Sequence, residues 1–337
     1  MDTPLLTIAI PTFNRAAILA RALQHLCPQL AEFAAIVDVI VSDNASIDNT
    51  SEVIKHYQDT YPDIAFVHHR NDTNVGFFGN AKVCRGLAHG KYLWLLSDDD
   101  FVGADILTQI IGALRRDAPA FVYLKNRSRS KGACHAITLT VEECILANTY
   151  ELGLISSVII LNAQDNDAQL FADNDQNPFI GFMMLLDTTR HVKTSVVIEG
   201  DCLIGANAPH SVQADLEFFK VFVDGMSSVT DCMARMGMRR GLIRSFRRRY
   251  LINFLLRHYL YRKAGSANSG FRKTISEFRR IDVVVTRSYG DLGVFWVLFY
   301  PATRLPVSVV KYAVQAKRAV ALRSRRGLRR LLKTRRE

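Results

Sequence analysis

Four apolar residues, Leu93-Trp94-Leu95-Leu96, run through Ser97 into three consecutive carboxylates, Asp98-Asp99-Asp100. An apolar run without alternation reads as a strand buried on both faces, the pattern of a parallel sheet. Three negative charges crowded at the end of such a strand repel one another unless a cation sits among them. A hard divalent ion, Mg²⁺ or Mn²⁺, takes oxygen ligands of this kind, with one or two carboxylates completed by substrate phosphates. Taken alone, the run fits equally well an Asp-rich turn that caps a helix over 104–114.

The residues upstream repeat one unit. A short apolar strand over 5–10 is followed by the loop Pro11-Thr12-Phe13-Asn14-Arg15 and a helix over 16–26, with Asn14 as its expected cap. A second strand over 36–41 ends in Ser42-Asp43-Asn44-Ala45-Ser46, and a helix over 48–58 follows. A third strand, 65–69, precedes Asn74-Val75-Gly76-Phe77-Phe78-Gly79-Asn80 and another helix. Repeated β-loop-α units predict an α/β fold, an open and mostly parallel sheet flanked by helices. Ligands in such sheets bind beyond the carboxyl ends of the strands, at a switch point. The three polar clusters would then converge on one crevice. Asp43 suits a pyrimidine imide or a ribose hydroxyl, and Arg15 suits a phosphate or a base face. Asn74, with Gly76 and Gly79 close by, offers donors where backbone and ligand approach closely.

These four ordered motifs, Ile10 to Arg15, Val41 to Thr50, Asn74 to Asn80 and Ser97 to Asp100, resemble family 2 glycosyltransferases of the GT-A fold. The wording around Trp94 is most similar to the abequosyltransferase-like branch of O-antigen sugar transferases. The resemblance covers roughly residues 5–115. It implies that Pro11, Thr12, Phe13, Arg15, Asp43, Asn74, Asp98 and Asp99 contact the nucleotide of a nucleotide-sugar donor, and that Asp99 and Asp100 hold Mg²⁺ or Mn²⁺. It implies an inverting sugar transfer to a saccharide acceptor, lipid-linked in this branch, in cell-surface polysaccharide synthesis. It also implies residues 1–115 as the donor half and 116–234 as the acceptor half of one domain. The family's catalytic base belongs to a Glu-Asp pair that is absent here. Asp175 and Asp173, ahead of a helix over 179–186, stand in its place, with Asp187 third. Small residues Ser156 and Ser157, in a strand expected over 152–161, would leave room for a sugar.

Charge is segregated along the chain. The net +11 hides an acidic body: residues 1–234 hold 16 Lys/Arg and 28 Asp/Glu, whereas 235–263 hold ten basic residues and no acidic one. Basic clusters interleaved with Leu, Ile, Phe and Tyr fit a helix at a membrane interface, with Phe295, Trp296, Phe299 and Tyr300 as anchors. The basic stretch 317–336 would add attraction to anionic lipid. Residues 235–337 are therefore expected to be a basic, helical, membrane-associating appendage. Nucleic acid is the alternative partner for such a surface, and the resemblance makes it the weaker one. The six cysteines form no C-x-x-C pair, and a strand opens near Leu5 without a basic leader, so a reduced cytoplasmic setting at the inner face of the cell membrane is expected. Two other classes satisfy parts of this pattern: a metal-dependent nucleotidyltransferase, and a non-catalytic nucleic-acid-binding protein.

Overall fold

The apolar runs become strands β1 (Leu6–Thr12), β2 (Val37–Asp43), β3 (Ala65–Arg70) and β4 (Tyr92–Leu95), joined by helices α1 (Ala16–Leu30), α2 (Thr50–Thr60) and α3 (Gly76–Leu87). This computed structural model describes residues 3–126, 134–162, 177, 179–190, 192–205, 215–265, 275–306 and 308–314. Every residue of β1, β2 and β4 is buried, as continuous apolar runs require of central parallel strands. β3 alternates between exposed and half-buried positions, as an edge strand does.

Next come β5 (Asp100–Val102), α4 (Ile106–Asp117), β6 (Phe121–Asn126), β7 (His135–Thr140), α5 (Val141–Asn148), β8 (Val158–Leu161), α6 (Ile180–Thr188), β9 (Thr194–Gly200) and β10 (Leu203–Gly205). The main sheet runs β3-β2-β1-β4-β8-β6-β9-β7. Its first four strands are mutually parallel, β8 is antiparallel to both neighbours, and β9 is parallel to β6. The chain leaves β1 toward β2 and β3 and later returns to β4 on the other side. That reversal places the switch point at the carboxyl end of β1.

Two expectations are corrected. The run over 152–161 is a strand only from Val158; its first half forms the 3-10 turns Thr149–Gly153 and Ile155–Ser157. Ser156 and Ser157 are therefore not open floor beneath an acceptor. Ser156 accepts bonds from Ser97 N and Trp94 Nε1, and Ser157 Oγ donates to Glu151 O and Leu154 O. The third aspartate does not stay in the loop either: Asp100 opens β5, which pairs with β10 in a small antiparallel sheet. Gly103 follows there because a Cβ would lie 2.0 Å from Asp201 O.

By its contacts the chain divides into two units, Met1–Ser211 with Ser228–Ile243, and Val212–Ser227 with Arg244–Glu337. The second is helical, built on part of α7 (Asp215–Arg235), most of α8 (Arg240–Tyr250), α9 (Arg257–Gly265) and α10 (Ile275–Tyr289). Its core is aromatic: Tyr250 stacks on Phe254 at 5.0 Å, and Tyr259 meets Phe299 at 5.4 Å. The apolar stripe of the basic segment is spent inside this unit. Phe246, Tyr250, Phe254 and Tyr259 recur at helical spacing and are all buried. Phe295 and Phe299 are buried as well, so neither is a surface anchor. The stretch 317–336 lies outside the described residues.

Candidate functional site

Loops after β1, β2 and β4 meet where the topology reverses, and they are knitted together by side chains. Asn14 N donates to Ser46 Oγ (2.9 Å), and Ile47 N returns a bond to Asn14 Oδ1 (2.8 Å). Asp48, not Asn14, caps the start of α1: its Oδ2 accepts from Ala16 N at 2.9 Å. Four asparagines tie in the loop before α3. Asn44 Nδ2 donates to Asn74 Oδ1 (2.8 Å), while Val75 N and Asn71 Nδ2 donate to Asn44 Oδ1. Asn80 Nδ2 reaches back to Ser42 O at 2.8 Å. Gly76 sits at φ +75° in this loop, a conformation that glycine adopts without strain.

The walls so built enclose a crevice of about 440 Å³ lined by Pro11, Thr12, Phe13, Arg15, Asn44, Asn74, Gly76, Phe77, Asn80, Ser97, Asp98 and Asp99. Seven of the eight residues expected on the nucleotide are among them. The exception is Asp43, fully buried, whose Oδ2 lies 2.5 Å from Arg70 Nη1 and whose Oδ1 accepts from Ser46 N. Both oxygens brace the second loop. Asn74 uses its oxygen to hold Asn44 and the Gly76 N–H, and the residue lines the crevice.

Charge in the crevice is organised around Arg15. Its Nη1 lies 2.9 Å from Asp98 Oδ1 and 3.3 Å from Asp99 Oδ2. Thr12 Oγ1 donates to Asp98 Oδ2 at 2.7 Å, and Ser97 Oγ donates to Asp99 Oδ1 at 2.5 Å. Burial raises the Asp98 pKa, against the opposing pull of Thr12 and Arg15. Burial pulls the Arg15 pKa down, but the two carboxylates outweigh it and the net shift is upward. Part of the cation that the carboxylates demand is thus supplied by the chain itself.

One guanidinium facing two carboxylates leaves a net negative site with oxygen donors, which fits a hard divalent cation. Among the described residues no three His, Cys, Asp or Glu side chains converge to hold a metal by themselves. Asp98 and Asp99 therefore fit such an ion with substrate phosphate oxygens completing its shell. Asp100 is not among the residues lining the crevice.

Asp173 and Asp175 lie outside the described residues. Asp187 stands at the carboxyl end of α6, 3% exposed, with Arg190 Nε at 3.2 Å and Arg85 Nη2 at 3.6 Å. Burial lowers the Arg85 pKa, opposed by Asp187. Such a buried pair fits a structural clamp, because each charge is costly to bury without the other. Two crevice features escape sequence reading. Arg70, the partner of Asp43, is 27 residues downstream, and Phe77, 48% exposed, lines the crevice with Phe13 at 39%. An aromatic side chain two residues after Asn74-Val75 was the available signal for Phe77.

The sequence model of the family described as Glycosyl transferase family 2 matches residues 7–137. Over that stretch the chain is similar to family 2 glycosyl transferases. The stretch holds all four motifs of the crevice. It is 32% identical over 126 residues to the abequosyltransferase RfbV of Salmonella typhimurium, 37% of each chain. It is 45% identical over 121 residues to the validoxylamine A glucosyltransferase of Streptomyces hygroscopicus, covering 36% of this chain and 28% of that one. The match thus spans about a third of the length of these curated relatives. The fold is similar over 93% of the chain to S. aureus TarS 1-349 in complex with UDP-GlcNAc (TM-score 0.59, 14% identity, 92% of that chain). It is also similar to the mannosyltransferase PcManGT of Pyrobaculum calidifontis in complex with GDP-Man and Mn²⁺ (TM-score 0.52, 13% identity, 93% and 87% covered). At those identities the likeness fixes the fold, GT-A, and nothing finer.

Proposed function

We propose that this protein transfers a sugar from a nucleotide-sugar donor to a hydroxyl of a saccharide acceptor. The observation that carries the reading is the gathering of Thr12, Arg15, Asp98 and Asp99 in one crevice with exposed Phe13 and Phe77. Aromatic faces suit a base, and the guanidinium suits a phosphate. Asp98 and Asp99 hold the divalent ion, and Asp43 belongs to the nucleotide site through the loop that it braces. Asp100, at the start of β5, is the further candidate ligand beside Asp99. Mg²⁺ or Mn²⁺, when bound, offsets charge on the leaving diphosphate.

In this reading the acceptor oxygen attacks the anomeric carbon as the bond from that carbon to the diphosphate oxygen breaks, so the centre inverts. Arg15 stabilises the departing phosphates. A carboxylate takes the acceptor proton, with Asp175 and Asp173 as candidates. Residues 1–115 bind the donor and 116–234 the acceptor. The acceptor is a lipid-linked saccharide of cell-surface polysaccharide synthesis, and the basic third holds the enzyme against the inner face of the membrane. Among the described residues no helix is long and apolar enough to cross a bilayer, which leaves peripheral attachment as the proposed mode.

A thermal-shift screen of nucleoside diphosphates and nucleotide sugars with Mn²⁺ tests the donor site, because ligands of the folded state raise its apparent stability. A shift with one nucleotide class, lost in Arg15→Ala, is expected. No shift with any nucleotide would overturn the reading.

A further inference from the structure

The helical unit hides Phe295 and Phe299, yet the three residues between them face outward: Trp296 is 50% exposed, Val297 71% and Leu298 44%. This turn borders a groove of about 500 Å³. Leu292, Val294, Val297 and Leu298 form its aliphatic wall, and Arg244 and Arg248 its other side. The two arginines are four residues apart on α8 and so share one helical face. Among the described residues neither has a hydrogen bond or ion pair. Arg247 on the same helix differs. It is chelated by Asp291, with Nη1 and Nη2 each 2.7 Å from a carboxylate oxygen, and it lies over the Tyr289 ring. Asp291, whose field reaches Arg244, is thereby already neutralised.

Two uncommitted cations beside an aliphatic groove with an exposed indole match one chemistry. The cations ask for a phosphate, and the apolar rim asks for a hydrocarbon next to it. A nucleic-acid backbone would satisfy the first and leave Val297 and Leu298 in water. We propose that this groove seats the phosphate of an anionic phospholipid, with Arg244 and Arg248 on the headgroup and Trp296, Val297 and Leu298 in the interfacial layer. The site rests on the membrane association proposed above and gives it a location. The attachment surface is one face of the folded helical unit rather than the apolar stripe of the basic segment, which is buried.

Flotation of the full chain with phosphatidylcholine vesicles, with and without phosphatidylglycerol, tests it alongside tryptophan quenching by brominated lipid. The chain has two tryptophans, and Trp94 is fully buried, so lipid quenching reports on Trp296. Expected results are binding only with the anionic lipid, quenching of Trp296, and a fall in partition of about tenfold or more in Arg244→Glu/Arg248→Glu. Val297→Asp should cut the quenching, and both variants should keep the nucleoside-diphosphate thermal shift of the parent. If the parent binds but its tryptophan is not quenched and neither variant weakens binding, the groove is wrong and other basic residues carry the membrane. If the parent does not bind anionic vesicles, the site and the membrane reading both fall. Displacement of bound vesicles by single-stranded RNA would overturn the lipid assignment. The quenching of the parent needs no variant, so a misfolded substitution leaves the test intact.

Discussion

The crevice and the helical unit are built from opposite materials. At the crevice, short polar side chains lock loops that lie far apart in sequence: Asn14 to Ser46, Asp48 to Ala16 and Asn80 to Ser42. In the helical unit, long stripes of aromatic residues pack on one another. Hydrogen bonds of fixed geometry demand particular residues at particular places, so the crevice is written as motifs. An aromatic stripe demands only burial. It shows that something covers the face without saying what, and in this unit the cover comes from its own helices.

That contrast predicts where substitutions hurt function and where they hurt folding. The largest effect is expected for Asp99→Asn, on the crevice floor. Sugar transfer should fall at least about a hundredfold, while the melting temperature stays within a few degrees of the parent. Unfolding of that variant would erase the distinction between site and scaffold. Next is Asp187→Ala, which removes the buried carboxylate that faces Arg85 and Arg190. A loss of about 3–5 kcal/mol is expected by denaturant unfolding, and nucleotide binding should survive wherever the fold does. A stable but inactive variant would instead favour Asp187 as the base.

Arg15→Ala is a smaller test. Removing the guanidinium leaves Asp98 and Asp99 facing each other without a counter-charge, at a cost of about 1–3 kcal/mol. Mn²⁺ should recover more stability in this variant than in the parent, as read by calorimetry. An equal Mn²⁺ response in both would show that Arg15 and the metal do not share the carboxylates. The smallest effect is a pH trend. Burial raises the Asp98 pKa in the fold, so the folded state favours its protonated form. Its contribution to stability is greatest below the ordinary carboxylate pKa and declines as pH rises through the raised value. Relative to the parent, Asp98→Asn should therefore melt higher at about pH 7 than at about pH 4. A difference that is flat across that range would contradict the burial argument.

The same contrast explains what was legible in the sequence. β1, β2 and β4 stand within two residues of their expected positions because buried parallel strands are continuous apolar runs. The crevice was legible because its residues follow those strands directly. The partner of Asp43 was not, because Arg70 reaches it from the end of the neighbouring strand, and only the β2–β3 pairing brings them together. β7 escaped because an edge strand with mostly exposed side chains carries no apolar signal. That Asp100 opens a strand was not legible, because three identical carboxylates give no hint that the last begins β5. Phe295 and Phe299 were misread for a related reason: an aromatic side chain suits a membrane interface and a protein interior equally.

On the proposed reading, the crevice beyond β1, β2 and β4 moves a sugar off a nucleotide. Incubating the full chain with Mn²⁺ and a panel of nucleotide sugars, and resolving the nucleotide products, tests it directly. Free nucleoside diphosphate is expected from one donor class, and none from Asp99→Asn. Pyrophosphate as the product, or equal release by parent and variant, would contradict it.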